Sequence, residues 1–298
     1  MLKIYQNPII QQINYSEAKK RNITIAIKRE DLIHPFVSGN KWRKLNYNLE
    51  EASRLGHNTL LTFGGAYSNH IYATAAAAKE GGFKSIGIIR GDELVDKPLN
   101  KTLSFVKECG MELHFVDRET YRGKSDKLFI RQLNDKHGDF YLIPEGGTNN
   151  LAIKGCEEIL NEETDKYDVI VTAVGTGGTI SGIIAASESH QKVFGISSLK
   201  GDFLKNEVSL LLENYWKPKI NWSINSDYHF GGYAKTTPEL MSFIKNFEEE
   251  QSIPLDQVYT GKMMYAIFDL IKKNFFPSGA KILAIHTGGL QGKATSSL

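Results

Sequence analysis

Residues 168–188 read DVIVTAV, then GTGGT, then ISGIIAASE. From Val169 to Val174 every residue except Thr172 is apolar, and valine and isoleucine dominate. Such a run fits a strand buried on both faces, as in parallel sheets covered by helices. Gly175-Thr176-Gly177-Gly178-Thr179 follows directly, and Gly178–Glu188 has a helical pattern. Glycines let the backbone turn tightly with its N–H groups facing an anion, and the positive end of the next helix favours a phosphate there. A dinucleotide reading is weaker, because Ile180 stands where the Rossmann fingerprint needs a third glycine. No acidic residue closes a strand about twenty residues on, and the GK[ST] ending of a P-loop is missing. The competing reading is an ordinary strand–helix turn.

Strand and helix patterns alternate on both sides of this unit. Strands are predicted at Thr59–Phe63, Ser85–Ile89, Glu112–Val116, Phe140–Ile143, Asp168–Val174, Lys192–Ser198 and Lys281–His286. Helices are predicted at Ser68–Glu80, Pro98–Cys109, Asp126–Lys136, Asn150–Glu162, Gly178–Glu188, Asp202–Tyr215, Thr237–Gln251 and Thr260–Lys273. This spacing argues for parallel βαβ units in an α/β fold with helices on both faces of each sheet. At 298 residues the chain suits two domains. No linker divides it, so one domain is expected to be inserted in the other: 1–44 with 156–298 as the large domain, and 45–155 as the small one. Ligands sit beyond the carboxyl ends of parallel strands, which directs attention to the loops after Phe63, Val174 and His286.

The 36 basic and 34 acidic side chains nearly cancel, and no run of Lys or Arg forms a patch, so no nucleic-acid partner is expected. Cys109 and Cys156 are not a C-x-x-C pair, which argues against structural zinc and a disulfide framework. Residues 1–14 lack the apolar core of a signal peptide, and no stretch reaches the roughly 18–20 apolar residues of a membrane span. The expectation is a soluble, cytoplasmic protein without a membrane partner.

Two further loops carry chemistry. In Gly64-Gly65-Ala66-Tyr67-Ser68-Asn69-His70, Ser68 and Asn69 fall at a helix start, where such side chains cap free N–H groups. A hydrolase reading fails for want of a G-x-S-x-G elbow. In Ser38-Gly39-Asn40-Lys41-Trp42-Arg43-Lys44-Leu45, Lys41 follows a Gly-Asn turn and opens a helix. Helix-start polarity, with Arg43 and Lys44 close by, disfavours its charged form and pushes its pKa below about 10.4. A lysine so placed can form a Schiff base near neutral pH.

Together SGNK-x-RKL, GG-x-x-SNH, GTGGT, Tyr259-Thr260-Gly261-Lys262 and His286-Thr287-Gly288-Gly289, in that order and preceded by Ile27-Lys28-Arg29-Glu30-Asp31, span almost the whole chain. The array resembles the 1-aminocyclopropane-1-carboxylate (ACC) deaminase / D-cysteine desulfhydrase family. That family belongs to the tryptophan-synthase-β-like, fold type II enzymes that use pyridoxal phosphate (PLP). The resemblance implies two open, twisted, mostly parallel sheets flanked by helices, with PLP in the cleft between the domains. Lys41 then matches the Schiff-base lysine, and Asn69 the partner of the cofactor ring hydroxyl. Ser68, Asn69 and His70 match the cradle for the substrate carboxylate, with Ser68 assisting proton transfer. Gly175, Thr176, Gly177, Gly178 and Thr179 match the phosphate cup. Tyr259 matches a tyrosine acting as base or nucleophile, and Tyr233 a second active-site tyrosine or else a half-buried aromatic. Thr260 and Thr287 match the surroundings of the pyridine nitrogen.

ACC deaminases resemble one another in having a carboxylate after the tyrosine and a leucine before the double glycine. Thr260 and Thr287 stand there instead, as in the D-cysteine desulfhydrase branch. A carboxylate stabilises a protonated pyridinium, and a hydroxyl does not. The weaker electron sink suits loss of a good leaving group such as thiolate. The expectation is therefore a PLP-dependent lyase acting by α,β-elimination on a small D-amino acid, most specifically D-cysteine. Its rivals are ACC deaminase, a D- or L-serine dehydratase, and a non-catalytic binding protein that keeps the fold. A homodimer is what the family implies.

Overall fold

The computed structural model describes residues 2–293. Its strands are β1 (Ile10–Ile13), β2 (Thr24–Lys28), β3 (Thr59–Gly65), β4 (Lys84–Arg90), β5 (Met111–Val116), β6 (Tyr141–Ile143), β7 (Val169–Val174), β8 (Lys192–Ser197), β9 (Trp222–Asn225) and β10 (Lys281–Ile285). They form two sheets. One has the order β1-β2-β10-β7-β8-β9, and the other β5-β4-β3-β6. All pairings are parallel except β1 with β2, which is antiparallel.

β7 shows why these strands look continuously apolar. Val169, Val171 and Ala173 enter one core with helices Pro238–Gln251 and Thr260–Lys272, while Ile170 and Val174 enter another with helices Gly178–Ala186 and Phe203–Asn214. Both faces are covered, so no alternation survives. In the smaller sheet Leu60 packs under helices Asn40–Arg54 and Asn69–Gly81, and Leu61 and Phe63 pack on the opposite face.

All seven predicted strands are present, with shifted ends. β1, β2 and β9 add to them. Helix Lys101–Glu108 starts three residues after Pro98, because the Asn100 side chain accepts from Leu103 N at 2.9 Å and sets the cap. Helix Asn150–Glu157 stops five residues short of the predicted Glu162. Both cysteines are free thiols, and among the described residues no helix is long and apolar enough to cross a membrane.

The long helix Asn40–Arg54 joins the two sheets. Arg43, a residue of its first turn, is buried and bonds Glu30 through Nε at 2.9 Å and Nη2 at 3.3 Å. At Gly155 a Cβ would lie 1.9 Å from the Arg43 carbonyl oxygen, so helix Asn150–Glu157 packs on this helix backbone to backbone.

Candidate active site

A cavity of about 460 Å³ opens where the carboxyl ends of β3, β7 and β10 meet the start of helix Asn40–Arg54. Its walls include Lys41, Lys44, Ser68, Asn69, His70, Gly175, Thr176, Gly177, Thr179, Tyr233, Tyr259 and Thr287. Of the site residues expected from the sequence, Gly178 and Thr260 do not line it. Gly178 opens the helix Gly178–Ala186, and Thr260 is buried at the first position of helix Thr260–Lys272.

Backbone contacts fix the loops against one another. Gly39 has φ +60°, and a Cβ there would fall 2.1 Å from the Thr287 carbonyl oxygen. The Asn40 N–H donates to that carbonyl at 3.2 Å, which seats Lys41 beside the loop after β10. Asn40 Nδ2 also donates to Thr179 Oγ1 at 2.8 Å, tying the lysine turn to the glycine loop. His286 donates from Nε2 to the Pro254 carbonyl at 2.7 Å and accepts from Gly288 N at 3.2 Å.

Burial, followed by the Lys44 charge, lowers the Lys41 pKa to about 7. The direction matches the sequence reading, but the causes differ. Enclosure contributes most, and Arg43 is spent on Glu30 and Glu158. Lys44 plays a part that the sequence reading did not give it. Its amine is buried, donates to the Gly146 carbonyl at 3.0 Å and to Thr148 Oγ1 at 3.2 Å, and lies 3.0 Å from where a Gly178 Cβ would be. A cation thus stands at the mouth of the glycine loop. Its spacing of three from Lys41 places both on one helix face, and that spacing is the signal that points to it.

Ser68 caps helix Asn69–Gly81, accepting from His70 N at 3.2 Å and Ile71 N at 3.3 Å, and its hydroxyl proton stays free to donate into the cavity. Capping and substrate contact are compatible here. Thr62 Oγ1 donates to the Ile143 carbonyl at 2.8 Å, so the His70 Nε2–H must donate to Thr62 at 2.7 Å. Burial, with Lys41 and Lys44 adding to it, holds His70 well below the usual histidine range. It brings a neutral ring to the cradle. The Asn69 amide lies against the double glycine, 2.6 Å from where a Gly289 Cβ would be.

Tyr259 lies over Gly175, whose Cβ would be 3.1 Å from the ring. Tyr233 stands edge-on to Tyr259 at 6.2 Å and is 44% exposed, so it is both a cavity wall and a partly open aromatic. Burial raises the Tyr259 phenol well above its ordinary value, with Tyr233 and Asp256 adding to the effect.

Thr260 departs from expectation. Its hydroxyl donates to Asp256 Oδ1 at 2.7 Å and accepts from Asp256 N at 2.9 Å, leaving no proton for a pyridine nitrogen. Asp256 also accepts from the N–H groups of Val258, Tyr259 and Thr260. The Asp256 carboxylate, which gathers these N–H groups at the helix start, also claims the Thr260 hydroxyl. Thr287 remains on the cavity wall.

Arg90 and Glu145 complete the cavity and were not singled out in the sequence. Glu145 accepts from Tyr121 at 2.7 Å and pairs with Lys124 at 3.2 Å. The Arg90 guanidinium lies 5.6 Å from the Tyr121 ring centroid and makes no hydrogen bond or ion pair to a described residue.

The donor set fits PLP. A helix start with Gly177 at φ +83°, the buried Lys44 amine and the Thr176 hydroxyl suit a phosphate. The amine of low pKa on the same cavity suits an aldehyde, and the volume lies in the ordinary range for small-ligand sites.

The sequence pattern of pyridoxal-phosphate dependent enzymes matches residues 1–288. The bifunctional D-cysteine desulfhydrase/1-aminocyclopropane-1-carboxylate deaminase of Arabidopsis thaliana mitochondria is 34% identical over 297 residues, covering 89% of this chain and 72% of that protein. The 1-aminocyclopropane-1-carboxylate deaminase of Rhizobium radiobacter is 29% identical over 302 residues, covering 92% of this chain and 89% of that protein. The crystal structure of an ACC deaminase homologue superposes with a TM-score of 0.85 at 30% identity, covering 98% of this chain and 92% of that one.

Proposed function

This chain belongs to the pyridoxal-phosphate dependent enzymes, and from that premise we propose that it eliminates sulfide from D-cysteine, giving pyruvate, hydrogen sulfide and ammonia. One observation carries the choice of substrate. Among the described residues lining the cavity, the only carboxylate is Glu145, already bound to Tyr121 and Lys124, and a neutral threonine stands at 287. A pyridinium charge has no carboxylate partner there. When bound, PLP supplies an electron sink for the bond broken at the α-carbon.

The chain's residues divide the remaining work. Lys41 secures the cofactor aldehyde, while Gly175–Thr179 with Lys44 hold its phosphate and Asn69 its ring hydroxyl. Ser68, Asn69 and His70 orient the substrate carboxylate. We assign the base to Lys41 rather than Tyr259. An amine with a pKa near 7 is about half unprotonated at neutral pH, whereas the Tyr259 phenol keeps its proton. Once the substrate amine takes its place at the aldehyde, the freed Lys41 Nζ would accept the α-proton. The C–S bond breaks with its electron pair on sulfur, and Arg90 on the cavity wall supplies a cation for the developing anion. Sulfide takes up a proton, and the released enamine adds water to give pyruvate and ammonia. Tyr259 and Tyr233 donate hydrogen bonds and wall the site. The cleft divides an inserted 45–155 unit from 1–44 with 156–298, in a cytoplasmic homodimer whose mass sedimentation would check.

A panel of D-cysteine, L-cysteine, D-serine, L-serine and ACC tests the proposal, with sulfide, pyruvate and 2-oxobutanoate measured. D-Cysteine should give equal sulfide and pyruvate at the highest kcat/KM. The second reading, ACC opening to 2-oxobutanoate, draws on the names of the relatives. Preferential 2-oxobutanoate from ACC would replace the first reading with the second, and no pyruvate from any of the panel would end the elimination proposal.

A further inference from the structure

A second cluster of ligating side chains lies away from the cavity. Glu112 and His114 sit two apart on β5, the edge strand of the smaller sheet. They pair across to Ile86 and Ile88, which pack with Leu133 of helix Lys127–His137. His137 is the last residue of that helix. One donor atom from each of Glu112, His114 and His137 lies within 4.8 Å of the other two.

A carboxylate–histidine contact on an exposed strand is common, and Glu112 Oε1 to His114 Nε2 at 2.5 Å alone would be only that. His137 changes the reading. Its ring meets the His114 ring edge-on at 4.3 Å, and its Nε2 is buried without a hydrogen-bond partner. Orphan buried nitrogens are rare and call for a partner. We propose that Glu112, His114 and His137 form a binding site for a divalent first-row transition ion, zinc above all, that clips the sheet edge to the helix end.

The donors suit it. Imidazole and carboxylate without thiolate is a borderline N/O set that zinc accepts. Bonds of about 2.0–2.1 Å set tetrahedral donors about 3.3 Å apart, so closure takes small side-chain rotations. The unpaired carbonyls of a helix end favour a cation beside them. The Glu112 side chain is 61% exposed and that of His114 20%, so an ion can enter from solution and water fills the fourth position. None of the three lines the catalytic cavity. The ion's effect is on the small sheet.

The test uses chelator-treated holoenzyme titrated with zinc sulfate, and with cobalt(II) as a spectroscopic probe. About one equivalent should bind, cobalt should give the visible absorption of tetrahedral coordination, and zinc should raise the unfolding midpoint. Glu112→Gln and His137→Gln should weaken binding by at least about 100-fold, since losing even an outer partner of a ligand costs roughly 10–100-fold, with turnover unchanged. Glu112 is exposed, so its variant keeps the fold, which circular dichroism checks. No uptake by the wild type, or equal uptake by both variants, overturns the proposal.

Discussion

Competitive acetylation of the cofactor-free chain, followed by peptide mass spectrometry across pH 5–11, would measure the protonation of Lys41 without any turnover. The structure sets the magnitude. With a pKa near 7, about half of the Lys41 amines are neutral at pH 7, against roughly one in 2,500 for a lysine at about 10.4. Lys41 should therefore outreact solvent-exposed lysines at pH 7 by about a thousandfold per unit of intrinsic nucleophilicity. Its labelling should reach a plateau by pH 8–9. Burial is the first cause and the Lys44 charge the second. Lys44→Met should then move the midpoint upward, yet leave it below the exposed-lysine value. A wild-type midpoint near 10 would refute the argument from enclosure. An unmoved midpoint in Lys44→Met would remove Lys44 from it.

Asp256→Ala leaves three backbone donors and the Thr260 hydroxyl unmet. It should cost roughly 3–5 kcal/mol in urea unfolding, whereas Thr260→Val should cost about 1 kcal/mol. Equal losses would contradict the capping role assigned to Asp256. Gly39→Ala meets both a positive φ and the Thr287 carbonyl, so it should lose about 3 kcal/mol or more together with cofactor affinity. A variant of native stability would show that the lysine turn is not seated as described. In the cofactor-free chain, Lys41 near 7 and Lys44 and Lys262 near 8 lie below their unfolded values. The unfolded chain therefore binds more protons from about pH 7 to 10, and these groups add stability as pH rises through that window. Below it the contribution is absent. Denaturation at pH 7 and 9.5 should show the rise, and Lys262→Met should reduce it.

Much of this protein is legible in one dimension. The apolar run of β7 and the glycines after it are local properties: a strand covered on both faces has no polar side to show, and a tight turn at a helix start needs glycine whatever surrounds it. Lys41, Ser68 and Gly175 mark loop–helix junctions, where local rules are strongest. β1 and β9 are four residues each and only partly covered, so neither shows a clean pattern; β2 is buried, but its parallel partner β10 lies about 250 residues on, so nothing near it announces a parallel strand. Thr260 shows the opposite failure. A motif position placed its hydroxyl at the cofactor, but Asp256, four residues earlier, holds it from both sides.

The residue types and their order determined the α/β fold and the cofactor, because helix starts, glycine turns and buried strands are short-range physics. Tertiary packing alone decided which charges act. Arg43 and Lys44 are near neighbours in sequence, yet Glu30 takes one and the glycine loop takes the other. Enclosure, which no local pattern encodes, lowers the Lys41 pKa and raises that of Tyr259.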